Sequence, residues 1–106
     1  MFSKIRKRNG NIVSFDKQKI VQAIRKAGEA TGEFEGEAAE VLTARVVNLL
    51  AQIIDSDIPE VERIQDIVEE VLLASPYKKA AKAYIIYRDQ HARIREMFST
   101  GGVQLI

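Results

Sequence analysis

The apolar positions of this chain fall into four helical stripes behind a short strand-like opening. Ile20, Ile24 and Ala27 recur at spacings of three and four, and Val21 and Ala23 widen the stripe. They predict a first helix from Lys17 to about Ala30, weakened by Gly28 and stopped at Thr31-Gly32. Ala38, Leu42, Val46, Leu49 and Ile53 draw one line, broadened by Ala39, Val47 and Leu50. This second helix, about 37–51 and extending toward Ile54, is the most apolar and is expected at the centre of the core. Asp55-Ser56-Asp57-Ile58-Pro59 breaks the pattern and leaves room for a short third strand. A third amphipathic helix, about 60–74, carries Val61, Ile64, Ile67 or Val68, Val71 and Leu72. Ser75-Pro76 then supplies a cap and a first-turn proline for a last helix to about Phe98. Its inner side is expected to hold Tyr77, Ala80, Ala81, Tyr84, Ile85, Tyr87, His91 and Ile94. Ser99-Thr100-Gly101-Gly102 reads as the start of a linker over 99–106.

Ahead of these helices, two strand-like runs flank Asn9-Gly10, a dipeptide suited to a type I′ hairpin turn. A strict two-residue turn puts Ile5, Lys7, Ile12 and Ser14 on one face and Arg6, Arg8, Val13 and Phe15 on the other. Both faces are mixed, so the pattern leaves open which one meets the helices. Asp16 suits the N-cap of the first helix, with Phe15 and Ile20 at the two positions of a hydrophobic staple. A hairpin rich in Lys and Arg beside a helix N-terminus suits a polyphosphate.

With 106 residues and nearly half of them apolar, the chain is one domain able to bury a core without staples. It has no Cys, which excludes disulfides, thiolate metal sites and cysteine nucleophiles. No apolar run approaches the ~20 residues that cross a bilayer, so a cytoplasmic location is the default expectation. The net charge of +1 conceals an uneven distribution: +6 over residues 1–32, −9 over 33–75 and +4 over 76–106. A near-neutral total argues against nucleic acid as partner, and the split suits one local anion site with an acidic outer face.

No G-x-S-x-G, His–carboxylate constellation or G-x-x-x-x-G-K-[ST] loop is present, so the chain reads as a binding module without a catalytic site of its own. Lys7, Arg8 and Lys19 are either a solvated edge-strand face or a triphosphate clamp. Asp16 is a cap that could also meet a ligand hydroxyl or base. His91, the sole His, has no partner at ligand spacing, which discounts metal binding. Tyr84, Tyr87 and Arg88 offer either packing or a wall and a charge for a nucleotide.

Lys4-Ile5-Arg6-Lys7-Arg8-Asn9-Gly10, Val13, Phe15-Asp16 and Lys19-Ile20-Val21-Gln22-Ala23-Ile24 together resemble the start of an ATP-cone domain. Val61 to Glu69 resembles that family's third helix and Ala80 to Arg88 its last, so the likeness spans about residues 3–96. The resemblance implies an α+β, mainly α fold, a small three-stranded sheet capping a four-helix bundle over residues 1–98. It implies ATP or dATP with Mg2+ as effector, bound between sheet and helices. Ile5, Lys7, Arg8, Asp16, Lys19 and Ile20 match its nucleotide-binding positions, with Arg88 and His91 contributed by the last helix. The implied role is the overall-activity switch of a ribonucleotide reductase, an oxidoreductase of deoxyribonucleotide synthesis. The catalytic domain would then lie in the same longer chain, with room for nucleotide-dependent self-association. The last helix is worded most like the anaerobic, glycyl-radical reductases, whose substrates are ribonucleoside triphosphates, with an adenosylcobalamin-dependent or class I enzyme as the close alternative. A transcriptional repressor that carries the same domain behind a zinc ribbon fits less well, given no Cys and no preceding segment. A helical nucleic-acid-binding module is the remaining alternative. Some members place an acidic residue where this chain has Val13, and Thr and His where it has Asp55 and Pro59.

Overall fold

The structure is a computed structural model and describes residues 2–55 and 57–99. The chain runs β1 (Lys4–Arg6), β2 (Ile12–Ser14), α1 (Lys17–Thr31), α2 (Gly36–Ile53), α3 (Val61–Ala74) and α4 (Lys78–Ser99). The helices form an up-and-down bundle in which α1 packs on α2 and α4, and α3 packs on α2 and α4. The expected mainly α fold with a small antiparallel sheet is what the chain adopts. The rest of the expected linker, residues 100–106, lies outside the described residues. None of the described helices is long and apolar enough to cross a membrane.

Each helix buries one stripe. Ile24, Val46, Leu50 and Leu72 are wholly inaccessible at the centre, where each contributes roughly 1.5–3 kcal/mol by leaving water. In α2 the buried line is Ala39, Leu42, Thr43, Val46 and Leu50. The expected line through Leu49 and Ile53 is rotated outward, and Ile53 is exposed. Thr43 is tolerated inside because its hydroxyl donates to Ala39 O at 2.7 Å. Among the described side chains of α4 only Ala80, Ala81 and Tyr84 are buried, whereas Tyr87, His91 and Ile94 are exposed.

At the end away from the hairpin, the connections are closely determined. Gly32 adopts φ 72°, its N–H donating to Glu29 O while Glu33 N–H donates to Gly28 O. Left-handed backbone of this kind ends a helix at little cost only with glycine. Phe34 then folds back over Gly28 so closely that a Cβ there would lie 2.3 Å from the ring. Phe34 also meets Tyr77 with ring centroids 4.7 Å apart. Ser75 ends α3 and its Oγ accepts from Tyr77 N–H at 3.1 Å, but α4 begins only at Lys78, two residues after the expected proline start. Glu33 Oε1 accepts from Ala80 N–H at 2.6 Å.

The hairpin differs from expectation in its turn. Lys4 pairs with Ser14, Ile5 with Val13 and Arg6 with Ile12, so the loop is the three residues Arg8-Asn9-Gly10. Only Gly10 has positive φ, at 88°. Asn9 instead accepts from Asn11 N–H through its side-chain oxygen at 3.0 Å, an alternative that Asn offers in turns. A type I′ turn needs positive φ at both central residues, so the chain takes the three-residue solution. The one-residue shift separates the faces. Ile5, Lys7, Val13 and Phe15 now look toward the helices, with Arg6 and Ile12 on the reverse.

The sheet has two strands, not the three implied by resemblance. The segment before α3 does approach β1: Arg6 N–H donates to Pro59 O at 2.9 Å, and Arg6 and Glu60 form an isolated parallel bridge. Pro59 has no N–H to continue a ladder, and Glu60 is already the N-cap of α3. Pairing therefore ends at one bridge.

Candidate functional site

Between the hairpin and the bundle lies a cleft of about 280 Å³. The hairpin contributes Ile5, Lys7 and Val13 to it, and the start of α1 contributes Asp16, Lys19, Ile20 and Ala23. The far wall is Val61, Ile64, Gln65 and Val68 of α3 with Tyr84, Tyr87 and Arg88 of α4. Asp16 sets the entry to α1: its Oδ1 accepts from Gln18 N–H at 3.0 Å, the expected N-cap bond. Lys19 is the third residue of that helix, so its ammonium stands beside the positive end of the α1 dipole. The inner surfaces of Ile20, Ile64, Val68 and Tyr84 are buried and apolar. The cleft thus has a largely apolar interior and a cationic mouth.

Six of the eight residues expected to bind nucleotide line this cleft: Ile5, Lys7, Asp16, Lys19, Ile20 and Arg88. Arg8 and His91 do not. Arg8 belongs to the turn and pairs with Glu62 at 3.2 Å. His91 stacks on Tyr87, with centroids 4.2 Å apart and planes inclined by 37°.

The cations of the site fall into two kinds. Lys7 and Lys19 make no ion pair among the described residues. Arg88 is held by α3 three times over, at 2.8 Å from Asp66, 2.7 Å from Glu69 and 3.2 Å from Glu62 O. Glu62, Asp66 and Glu69 follow one another at spacings of four and three, so one acidic stripe of α3 fastens both the turn and α4. The guanidinium of Arg88 is a wall with its charge already balanced. An added anion would find its uncompensated attraction at Lys7 and Lys19.

Tyr84 is buried against this seam, and burial pushes its phenol up to about 12, the nearby Arg88 opposing only in part. A second, narrower apolar slot of about 170 Å³ continues along α1 and α4, with Ala23, Tyr84 and Tyr87 common to both. Gln65 is the cleft residue that sequence reasoning missed. Its signal was a polar side chain inside the apolar stripe of α3, one turn from both Val61 and Val68. Its Oε1 is buried without a hydrogen-bond partner among the described residues. Those residues contain no group of three or more His, Asp or Glu able to hold a metal.

A two-stranded cap on an up-and-down bundle encloses an apolar cleft with a cationic mouth. The family model for the ATP cone domain matches residues 3–93, and the chain belongs to that family. It is similar to the vitamin B12-dependent ribonucleoside-diphosphate reductase of Thermoplasma acidophilum, 38% identical across 98% of this chain and 14% of that protein. It is 36% identical to the ribonucleoside-diphosphate reductase subunit alpha of Chlamydia trachomatis, over 85% of this chain and 10% of that protein. The anaerobic ribonucleoside-triphosphate reductase of Haemophilus influenzae is 34% identical over 85% of this chain and 13% of its own length. The chain therefore spans about a tenth to a seventh of these relatives, and the likeness crosses reductases of differing chemistry.

Proposed function

We propose that the cleft binds an adenine nucleotide, ATP or dATP, and that its occupancy sets the overall activity of a ribonucleotide reductase. The observation that carries this reading is an apolar slot beside two lysines, Lys7 of the hairpin and Lys19 at the α1 N-terminus, that make no ion pair among the described residues. A base fits the apolar interior between Ile20, Val68 and Tyr84. The triphosphate meets Lys7 and Lys19, whose ammonium groups act as point charges. Asp16 spends one carboxylate oxygen on its cap and keeps the other for a sugar hydroxyl. Mg2+ fits the same site, because it is commonly held by one or two carboxylates together with phosphates rather than by a protein cage. Asp16 is the carboxylate that lines the cleft, and the metal would supply charge neutralisation to the phosphates.

Regulation then follows from linkage. A ligand shifts a conformational equilibrium only by its difference in affinity for the two states. ATP and dATP differ by one hydroxyl, worth about 0.5–1.5 kcal/mol as a net hydrogen bond. That suffices to bias how the domain associates with a catalytic domain or with a second copy, and it is too little to refold it. The likeness to three named reductases supports the assignment of the regulated enzyme. Calorimetric titration of this chain with ATP and dATP in the presence of Mg2+ tests the binding. Saturable heat with both is expected; no heat with either overturns the reading.

A further inference from the structure

We infer that Gln65 is the residue that recognises the base, its carboxamide pairing with the 6-amino edge of adenine; this rests on the nucleotide reading above. A buried amide oxygen without a partner carries a free-energy penalty that folded proteins rarely leave in place. Gln65 carries it in the wall of the cleft, flanked on its own helix by the apolar Val61, Ile64 and Val68. Half a turn of the amide about its terminal bond exchanges oxygen and nitrogen, and the oxygen gives up no hydrogen bond in doing so. The group is therefore free to meet a ligand with either atom. A carboxamide presents a donor and an acceptor side by side, the complement of an adenine edge that offers an amino donor next to a ring-nitrogen acceptor. The slot in which such a ring lies flat is the one between Ile20 and Tyr84, and the phosphates then extend to Lys7 and Lys19. Gln65 thus converts an apolar slot that any ring could enter into one that distinguishes its edge.

A two-by-two comparison of ligand and protein tests this: ATP and purine riboside triphosphate, which lacks the 6-amino group, are titrated against the wild-type chain and Gln65→Met. In the wild type, loss of the amino group should weaken binding about tenfold, the scale of one net hydrogen bond. In Gln65→Met the two ligands should bind alike, no tighter than the wild type binds the amino-free ligand. Without ligand, Gln65→Met should melt higher than the wild type, since it removes an unpaired polar group from a site that suits a thioether. Equal discrimination in both proteins, or equal affinity of both ligands for the wild type, overturns the role of Gln65 while leaving nucleotide binding intact. Failure of the wild type to bind either ligand instead overturns the reading beneath it.

Discussion

Where α1 turns into α2 and α3 into α4, the named polar groups have partners and the aromatic rings touch. Gly32, Ser75 and Glu33 satisfy helix ends, and Phe34 seals Gly28 against Tyr77. At the hairpin end, Lys7 and Lys19 make no ion pair and Gln65 Oε1 has no partner among the described residues, and Ile12 and Val13 remain exposed on a three-residue strand. Both ends are made by the same helices, so the difference is not one of helix quality. One end has its polar groups satisfied; the other leaves them without partners among the described residues, and on the proposed function these are the groups that meet the ligand.

The largest expected effect is at the hairpin end. Lys7→Ala with Lys19→Ala should weaken ATP binding about 100-fold or more, because two charge-assisted contacts are lost at about 1.5–3 kcal/mol each. The melting temperature should hardly move, since neither lysine has an ion-pair partner among the described residues. Calorimetry and a thermal melt on the same sample check both halves.

Alkaline pH probes the seam behind the cleft. The Tyr84 phenol titrates near 12 in the fold against about 10 when unfolded. Below pH 10 both states keep the proton and the stability is intact. As pH rises from about 10 to 12 the unfolded chain loses it first, so stability falls by roughly 2–3 kcal/mol and then levels off. Tyr84→Phe should flatten that slope in denaturant melts from pH 9 to 12.

Gly28→Ala tests the opposite end. The added methyl meets the Phe34 ring, and forced overpacking of this kind costs about 1–3 kcal/mol. ATP affinity of the folded protein should be unchanged, the reverse of the lysine result.

The smallest effects separate the two arginines. Arg88→Met strips Asp66 and the partly buried Glu69 of their partner and should cost about 1–2 kcal/mol in a urea melt. Arg8→Met breaks a more exposed pair with Glu62 and should cost under about 1 kcal/mol.

Much of this was written locally in the sequence. Asp16 as cap and Gly32 as a stop are choices made by neighbouring residues, and the structure shows both, whereas the last helix begins at Lys78, two residues after the expected proline start. Features that depended on long-range partners were harder to read. The hairpin register turned on whether Asn9 would take positive φ or use its side chain, and one residue of difference decided which face Ile5 and Val13 share. The third strand failed at Pro59, where propensity alone had left the segment open. Arg8 and Arg88 could be read as ligand cations because the acidic stripe of α3 that ties them down is remote in sequence. Tyr87, His91 and Ile94 keep the helical spacing of Tyr84, yet the helix carries them beyond the layer that would bury them. Gln65 was visible only as an irregularity in an apolar stripe, and only its missing partner gives that irregularity meaning.

The central claim is that ligand meets one end of the bundle and not the other. Backbone amide shifts of the 15N-labelled chain during titration with ATP and Mg2+ report on both ends at once. Saturable shifts at Lys7, Asp16, Lys19, Gln65 and Arg88, with Gly28, Gly32, Phe34 and Tyr77 unmoved, are the predicted result. Shifts centred on Gly28, Phe34 and Tyr77, or none anywhere at excess ATP, would contradict it.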